Sequence, residues 1–266
     1  MRRLLRLLFY QYPRVSLTAF LLLAIAYWNC LPDPLFKDPT SLVLEARDGQ
    51  LLSARIASDG QWRFPRRDSL PERFVRALVE FEDRRFFRHP GIDPIGLARA
   101  LRQNWDEGRI VSGGSTLSMQ VIRLARKGKR RSLWQKVIEM VLASRLELTH
   151  SKSDILALYA AHAPFGGNVV GLDAAAWRYY AKSPQLLSWG EAATLAVLPN
   201  SPALIHPGRN RDALLAKRNR LLDRLVQSGT IDAITAELGR AETLPERDNT
   251  QDHEGPHQGK PPKTEI

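Results

Sequence analysis

Apolar residues recur at helical spacing along most of this chain, and this pattern limits its fold more than any other feature. Behind Pro71, which suits the first turn of a helix, Phe74, Leu78 and Phe81 follow at steps of three and four residues. With 44% hydrophobic residues in 266, the chain can bury a full-sized core. The sequence therefore predicts a mainly α-helical domain over residues 65–230.

Helix-start signals divide this domain further. A serine followed three residues later by Glu or Gln forms a capping box, which satisfies backbone N–H groups at the start of a helix. Such pairs are Ser132 with Gln135 and Ser188 with Glu191. Other helices are predicted to begin at Asp93-Pro94 and to cover 154–161 and 212–226, and the helix behind Ser132 carries the apolar series Leu133, Val137, Met140, Val141 and Leu148.

An uncharged and nearly all-apolar segment lies close to the N-terminus. Residues 15–31 are just long enough to cross a bilayer core, which takes about 17–25 helical residues. Arginines precede this segment, so we predict one transmembrane helix with a cytoplasmic N-terminus and all later residues outside. One alternative is a cleaved signal peptide, which is disfavoured because bulky Tyr27 and Trp28 occupy the place of a small-residue cleavage site. A buried soluble helix is a weaker alternative, because the flank is rich in arginine.

Shifts in composition divide the chain into five predicted parts. A basic stretch (1–14) precedes the membrane segment, and a proline-rich linker with a β-hairpin (32–64) precedes the helical domain. The hairpin signal is Asp48-Gly49 between two apolar runs. Residues 241–266 are almost entirely polar, so we predict a disordered tail there.

The charge balance limits the class of partner, and the cysteine count excludes some kinds of cross-link and metal site. A formal net charge of +11 favours polyanions or anionic lipid head groups. Nucleic acid is the weaker interpretation, because the basic cluster at 123–131 lacks interleaved aromatic residues beyond Trp134. Cys30 is the sole cysteine, which excludes an internal disulfide and a cysteine-type zinc site.

Glu82 ends the first amphipathic helix, beside Phe81. A carboxylate held near aromatic side chains loses solvation, which moves its pKa towards the range useful for proton transfer. Glu82 is therefore a candidate general base. The alternative is that Glu82 and Asp83 are exposed helix-end charges paired with Arg84 and Arg85.

A second candidate site is the segment Gly-Gly-Ser-Thr at 113–116, ahead of a predicted helix. Glycines let a ligand approach the backbone, Ser115 can cap the helix, and N–H groups at a helix start bind phosphate. Gln120 and Arg123 lie on the same helix. The alternative is a flexible loop with an ordinary N-cap.

A third candidate is the pair Lys136 and Glu139, which lie three residues apart and share a helix face. Together with the arginines and lysines just before them, they suit a diphosphate. The alternative is a solvated basic surface with one intrahelical ion pair.

In this order, these segments resemble the signature of the peptidoglycan glycosyltransferases of family 51. This family comprises the transglycosylase domains of class A penicillin-binding proteins and the monofunctional transglycosylases. The matching patterns are Glu-Asp-x-x-Phe-x-x-His-x-Gly-x-Asp from Glu82, Gly-Gly-Ser-Thr-x-x-x-Gln from Gly113, Lys-x-x-Glu from Lys136, Ser151-Lys152 with Ile155-Leu156-x-x-Tyr159, and 171–202. Residues 163–167 look most like the C type of the bifunctional proteins.

The resemblance implies a lysozyme-like helical fold and the polymerisation of lipid II into β-1,4-linked glycan, with inversion and release of undecaprenyl pyrophosphate. Glu82 would be the base for the acceptor's 4-hydroxyl, and Glu139 would be the second catalytic residue, near the leaving pyrophosphate. The implied substrate-binding residues are Asp83, His89, Ser115, Thr116, Gln120, Arg123 and Lys136. No cofactor would be required, although a divalent cation, Mg²⁺ or Mn²⁺, would fit the chemistry near Glu139.

The implied location is the bacterial cytoplasmic (inner) membrane, crossed once, with the catalytic domain on the periplasmic side. The implied partners are lipid II, the growing glycan chain, membrane lipids and other cell-wall synthesis proteins, and no nucleic acid.

Some features depart from the family pattern. Gln135 replaces an Arg, Met119 a Gln, Ala161 an Asn and Ala181 a Gly. The Ser-x-x-Lys motif of a transpeptidase is missing, so we expect a monofunctional enzyme or a shortened bifunctional one. Two alternatives stay open: a lysozyme-like glycan hydrolase and a catalytically impaired scaffold of the wall-synthesis machinery.

Overall fold

Helices dominate the computed structural model, which describes residues 13–47, 51–67, 69–109, 113–127, 132–200, 207–208 and 210–245. The helices in these ranges are α1 (Pro13–Trp28), α2 (Glu72–Glu82), α3 (Pro94–Asp106), α4 (Leu117–Ala125), α5 (Leu133–Glu147), α6 (Lys152–His162), α7 (Leu172–Tyr180), α8 (Trp189–Val197), α9 (Arg211–Gln227) and α10 (Ala233–Ala241). The strands are β1 (Leu42–Glu45), β2 (Leu51–Arg55), β3 (Trp62–Arg63), β4 (Pro164–Gly166) and β5 (Val169–Val170). The prediction of a mainly α-helical chain is confirmed.

The chain forms two compact units, and each is built from two chain segments. Unit 1 contains the described residues of 13–37 and 88–152, with α1, α3, α4 and α5. Unit 2 contains those of 38–87 and 153–245, with the strands and the other helices. The five-part division of the sequence stays a prediction.

In unit 1, α4 packs against α5, and the buried face of α5 differs from the expected one. Most of the apolar series of α5 points outward: Leu133 is 86%, Leu148 62%, Val141 45% and Val137 42% exposed. The buried residues of this helix are Glu139, Ala143, Arg145 and Leu146. The helix itself is confirmed, but its apolar series does not form the core. Glu139 and Arg145 are buried instead, because Arg123 bonds to Glu139 and the Trp28 carbonyl accepts from Arg145.

Helix α1 ends against α5. The Tyr27 hydroxyl lies 3.0 Å from Ser144 Oγ, and Arg145 Nε donates to the Trp28 carbonyl at 3.0 Å. The Arg145 guanidinium also lies 4.1 Å from the centre of the Trp28 ring, a cation–π contact. In the ranges that the structure describes, no helix has both the length and the apolar character needed to cross a membrane, and the transmembrane helix predicted for 15–31 is not found.

In unit 2, α8 lies at the centre of the helical packing, in contact with α2, α9 and α10. Its start has the full capping box predicted for Ser188 and Glu191. At Ser132, the start of α5, the serine accepts from the Gln135 N–H at 3.1 Å, so one half of the predicted box is present. Both serines mark helix starts, as the sequence indicated.

Two small sheets complete unit 2. Strands β1 and β2 pair antiparallel, with Leu42 opposite Arg55, which confirms the predicted hairpin; its Asp48-Gly49 turn lies outside the described residues. In the second sheet β5 is central, parallel to β3 and antiparallel to β4.

Helix α10 is a part of the fold that the sequence patterns missed. Asp232 caps its start by accepting from the Thr235 N–H at 2.6 Å. Its buried residues are the small Ala236 and Gly239, which give little apolar signal. Arg218 of α9 fixes its end by donating to the carbonyls of Arg240 (2.8 Å) and Glu242 (2.7 Å).

Only the beginning of the predicted tail lies in the described residues. Ala241 ends α10, and Leu244 is buried with its carbonyl accepting from Arg211 at 3.1 Å. The remainder, 246–266, lies outside the described residues.

The departure at Ala181 generates a stability prediction. Ala181 follows α7 with φ 52° and ψ 35°, a left-handed conformation that costs an L-residue about 1–2 kcal/mol. We expect Ala181→Gly to raise the free energy of unfolding by about 1 kcal/mol in urea denaturation followed by circular dichroism. Ala216→Gly, the same change at an exposed position inside α9, should lower it by about 1 kcal/mol. Equal losses of unfolding free energy in both variants would show that the backbone at Ala181 is not strained.

Candidate functional site

Glu82 is the last residue of α2 in unit 2. The helix ends there because Asp83 leaves the helical region, with φ −157° and ψ 76°. The Asp83 N–H still donates to the Val79 carbonyl at 3.0 Å, and its own carbonyl accepts from the Phe86 N–H at 2.9 Å. Asp83 thus shapes a tight turn, and Glu82 is presented at a fixed helix end.

A buried phenol and a cation lie near Glu82. Tyr159 of α6 is 1% exposed, and burial, followed by the negative charge of Glu82, raises its pKa well above the usual value. Lys217 of α9 interacts electrostatically with Glu82 from another side. Arg84, one of the suggested ion-pair partners of Glu82, pairs instead with Glu80 at 2.6 Å.

In unit 1, segment 113–116 leads into α4, and the capping residue is Thr116, not Ser115 as predicted. Thr116 Oγ1 accepts from the Met119 N–H at 3.2 Å and donates to the Gly91 carbonyl at 2.6 Å. A Cβ on Gly114 would lie 2.9 Å from a Leu97 methyl group, so this glycine is needed for close packing of the segment on α3.

Thr116 is buried, whereas Ser115 is half-buried and lies beside Arg123. Arg123 Nη2 lies 3.4 Å from Ser115 Oγ. The same guanidinium forms a two-pronged ion pair with Glu139, with Nε 2.9 Å from Oε1 and Nη2 2.6 Å from Oε2. The Glu139 side chain is 9% exposed and that of Arg123 28%, so Glu139 is held rigidly by a charge-assisted contact.

Lys136 lies one turn before Glu139 on α5. Because Glu139 accepts from Arg123, the intrahelical ion pair considered as an alternative does not form. No ion pair of Lys136 occurs within the described ranges. Lys136 is half-buried and shares a face of α5 with Glu139, the ion-pair partner of Arg123, so Lys136 and Arg123 together are called the cation cluster. Ser115 contacts Arg123, and the half-buried Gln120 lies one turn before Arg123 on α4.

His89 and Gly91 belong to a loop of unit 1 that packs on α5. Gly91 has φ +90°, and a Cβ there would lie 2.8 Å from the Ala143 carbonyl, so only glycine fits. His89 is buried, and its carbonyl accepts from Lys152 Nζ at 2.7 Å. Lys152 also pairs with Glu147 at 2.8 Å. These contacts fix the loop, and a substrate contact of His89 stays a prediction.

The donor set at Glu139 does not fit a preformed divalent cation site. Both of its carboxylate oxygens accept from Arg123, and a cation of the Mg²⁺ or Mn²⁺ type needs several oxygen ligands. The described residues contain no group of three or more His, Cys, Asp or Glu side chains arranged to hold a metal.

The predicted site residues thus fall into two groups. Unit 1 brings together Ser115, Thr116, Arg123 and Glu139, with Lys136 one turn away. Unit 2 holds Glu82 and Asp83. Patterns in the sequence missed Lys217, because it belongs to none of the matched motifs and its relation to Glu82 depends on the packing of α9 on α2.

The Transglycosylase family profile matches residues 48–226. The chain therefore belongs to this family, the peptidoglycan transglycosylases of glycosyltransferase family 51.

Relatives of known identity agree with this assignment. Penicillin-binding protein 1C of Escherichia coli is 42% identical over 218 residues, which cover 78% of this chain and 27% of the relative. Penicillin-binding protein 1A of Aquifex aeolicus is 39% identical over 164 residues, or 62% and 23%. The chain spans about a quarter of the length of these curated relatives. The crystal structure of penicillin-binding protein 1A from Haemophilus influenzae aligns at 18% identity with a TM-score of 0.44, over 79% of this chain and 21% of that one.

The buried ion pair generates a prediction about stability. Arg123→Met leaves the Glu139 carboxylate buried without its cation, so we expect the free energy of unfolding to fall by about 2–3 kcal/mol in urea denaturation. The double variant Arg123→Met/Glu139→Gln should lose less than the two single variants together.

The matched control is the exposed pair of Arg102 and Asp106 on α3, in which Arg102 Nε lies 3.8 Å from Asp106 Oδ2. Arg102→Met should change the free energy of unfolding by less than about 0.5 kcal/mol. If Arg123→Met and Arg102→Met changed the free energy of unfolding equally, burial of Glu139 would not determine how much its ion pair with Arg123 stabilises the protein.

Proposed function

We propose that this chain is a peptidoglycan glycosyltransferase, which polymerises lipid II into β-1,4-linked glycan with inversion. Membership of the transglycosylase family supports a glycan substrate. The observation that carries the proposal is the cation cluster of Arg123 and Lys136 on unit 1. Its chemistry suits a diphosphate leaving group, which a polymerase has and a glycan hydrolase lacks.

In the proposed reaction Glu82 acts as the general base. Its carboxylate accepts the proton of the acceptor sugar's 4-hydroxyl while that oxygen attacks the anomeric carbon of the donor. The bond from the anomeric carbon to the diphosphate oxygen breaks on the opposite face, and the bonding electrons leave with the undecaprenyl pyrophosphate. Attack from the face opposite the leaving group inverts the anomeric carbon.

Negative charge builds up on the leaving diphosphate, and the cation cluster stabilises it there. Lys136 contributes an ammonium that has no carboxylate partner in the described chain. Arg123 contributes N–H groups, and Glu139 keeps its guanidinium in a fixed orientation through the two-pronged pair. In this scheme Glu139, predicted as the second catalytic residue, is a positioning residue for Arg123.

We place the enzyme at the periplasmic face of the bacterial cytoplasmic membrane, where its lipid-linked substrate is found. Exposed apolar side chains of α1, such as Phe20, Leu22 and Leu23, and Trp134 of α5 support contact with lipid. Lipid II, the growing glycan chain and membrane lipids are the proposed partners, with other wall-synthesis proteins as further candidates.

A test of base catalysis uses Glu82→Gln, which keeps the shape of the side chain and removes its basicity. We expect the polymerisation of labelled lipid II to fall about 10²–10⁴-fold, with kcat affected more than KM. Glu72→Gln is the matched control, because it makes the same change at an exposed position of α2 and should retain activity. Full activity of Glu82→Gln would disprove the role of Glu82, and glycan shortening by the unaltered protein without chain growth would favour the hydrolase.

The cation cluster is tested by Lys136→Met. Loss of the ammonium should weaken transition-state stabilisation of the diphosphate and lower kcat/KM for lipid II about 10–100-fold. Arg102→Met, an exposed cation of the same unit, should leave kcat/KM within about twofold of the unaltered protein. Unchanged kcat/KM in Lys136→Met would remove Lys136 from the leaving-group site.

A further inference from the structure

Lys217 on α9 is a cation of unit 2 that has no role in the chemistry above. Helix α9 meets the end of α2 through Arg224, whose Nη2 donates to the Glu80 carbonyl and whose guanidinium lies 6.0 Å from the centre of the Phe81 ring. Lys217 precedes Arg224 by seven residues, which is two helical turns, so both lie on one face of α9. This face brings the Lys217 side chain towards the end of α2, where Glu82 is located.

The ammonium of Lys217 is held by a neutral group. Its Nζ donates to Asn200 Oδ1 at 3.1 Å, in the one-turn 3-10 helix Leu198–Asn200 that follows α8. An amide oxygen fixes the ammonium without cancelling its charge, whereas a carboxylate would cancel it. The positive charge therefore acts on Glu82, with which Lys217 interacts electrostatically.

We propose that Lys217 is a positioning residue for Glu82, whose ammonium keeps the Glu82 carboxylate ionised and ready to accept the hydroxyl proton. The proposal rests on the function proposed above, in which Glu82 is the base. Asn200 holds Lys217 in the orientation that this role requires.

Several other charged or titratable groups near this pair are engaged elsewhere, neutral or exposed. Arg224 of α9 and Arg84 both pair with the Glu80 carboxylate, at 3.4 and 2.6 Å. Tyr159 faces Glu82 from α6, and its pKa, raised by burial and by the Glu82 charge, keeps it neutral. Arg220 acts on Lys217 from the same helix, but its side chain is exposed. Burial lowers the pKa of Lys217 and the charge of Glu82 raises it, so the attraction that preserves the ammonium also favours the carboxylate.

The test compares the full chain with Lys217→Met in two measurements. The first is the pH dependence of kcat/KM for lipid II polymerisation, and the second is an NMR titration of the ¹³C-labelled Glu82 carboxyl, assigned with Glu82→Gln. We expect the acidic limb and the NMR titration to move to higher pH by about one unit. At pH values below that limb, the rate of Lys217→Met should be about tenfold lower than that of the unaltered protein. At high pH the two rates should be equal, because the Glu82 carboxylate is ionised in both proteins.

Two variants separate charge from packing. Lys217→Arg keeps the positive charge and should retain the original pH profile. Arg220→Met removes a neighbouring exposed cation of α9 and should leave the profile unchanged.

Two results would overturn the proposal: a uniform loss of rate at all pH values with an unmoved acidic limb, or an NMR titration of Glu82 that does not respond to Lys217→Met. If the unaltered protein does not polymerise lipid II, the proposed function fails, and the NMR titration still decides whether Lys217 controls the ionisation of Glu82.

Discussion

Burial of the Glu139 carboxylate is the constraint on which unit 1 depends. A charge removed from water is destabilising unless a partner of opposite charge meets it with good geometry. Arg123 of α4 supplies that partner through two hydrogen bonds, so the packing of α4 on α5 and the burial of Glu139 support each other. The same pairing occupies Glu139 and leaves Lys136, one turn away, without a carboxylate in the described chain. The pair of Arg123 and Glu139 therefore leaves a positive charge on Lys136 that no described carboxylate neutralises.

Local chemistry made several helix starts predictable, whereas the buried faces of the helices depend on distant residues. Capping at Ser188 and Asp93 requires only groups within a few residues, and both helix starts agree with the sequence. The buried face of α5 instead depends on Arg123 and on Trp28, which lies 117 residues before Arg145. No periodicity within α5 contains that information, which is why its apolar series looked like core.

The candidate site divides in the same way. The position of Glu82 at a helix end was predictable because a helix end after an amphipathic stripe is visible in the sequence. Thr116 replaced Ser115 as the cap because its hydroxyl also reaches the Gly91 carbonyl, a contact between segments 25 residues apart. Lys217 could not be found at all by pattern, since its relation to Glu82 is created by the packing of α9 on α2.

The departure at Gln135 can be understood from this geometry. Position 135 lies one turn before Glu139 on α5, at the i, i+4 spacing that favours an ion pair. An arginine there, as in the family pattern, would compete with Arg123 for the same two carboxylate oxygens. With Gln135 in its place, Glu139 is bonded by Arg123 at 2.6 and 2.9 Å, and the orientation of Arg123 is fixed by one carboxylate. The substitution removes a cation from this face of α5, so in the proposed mechanism the diphosphate relies on Lys136 and Arg123.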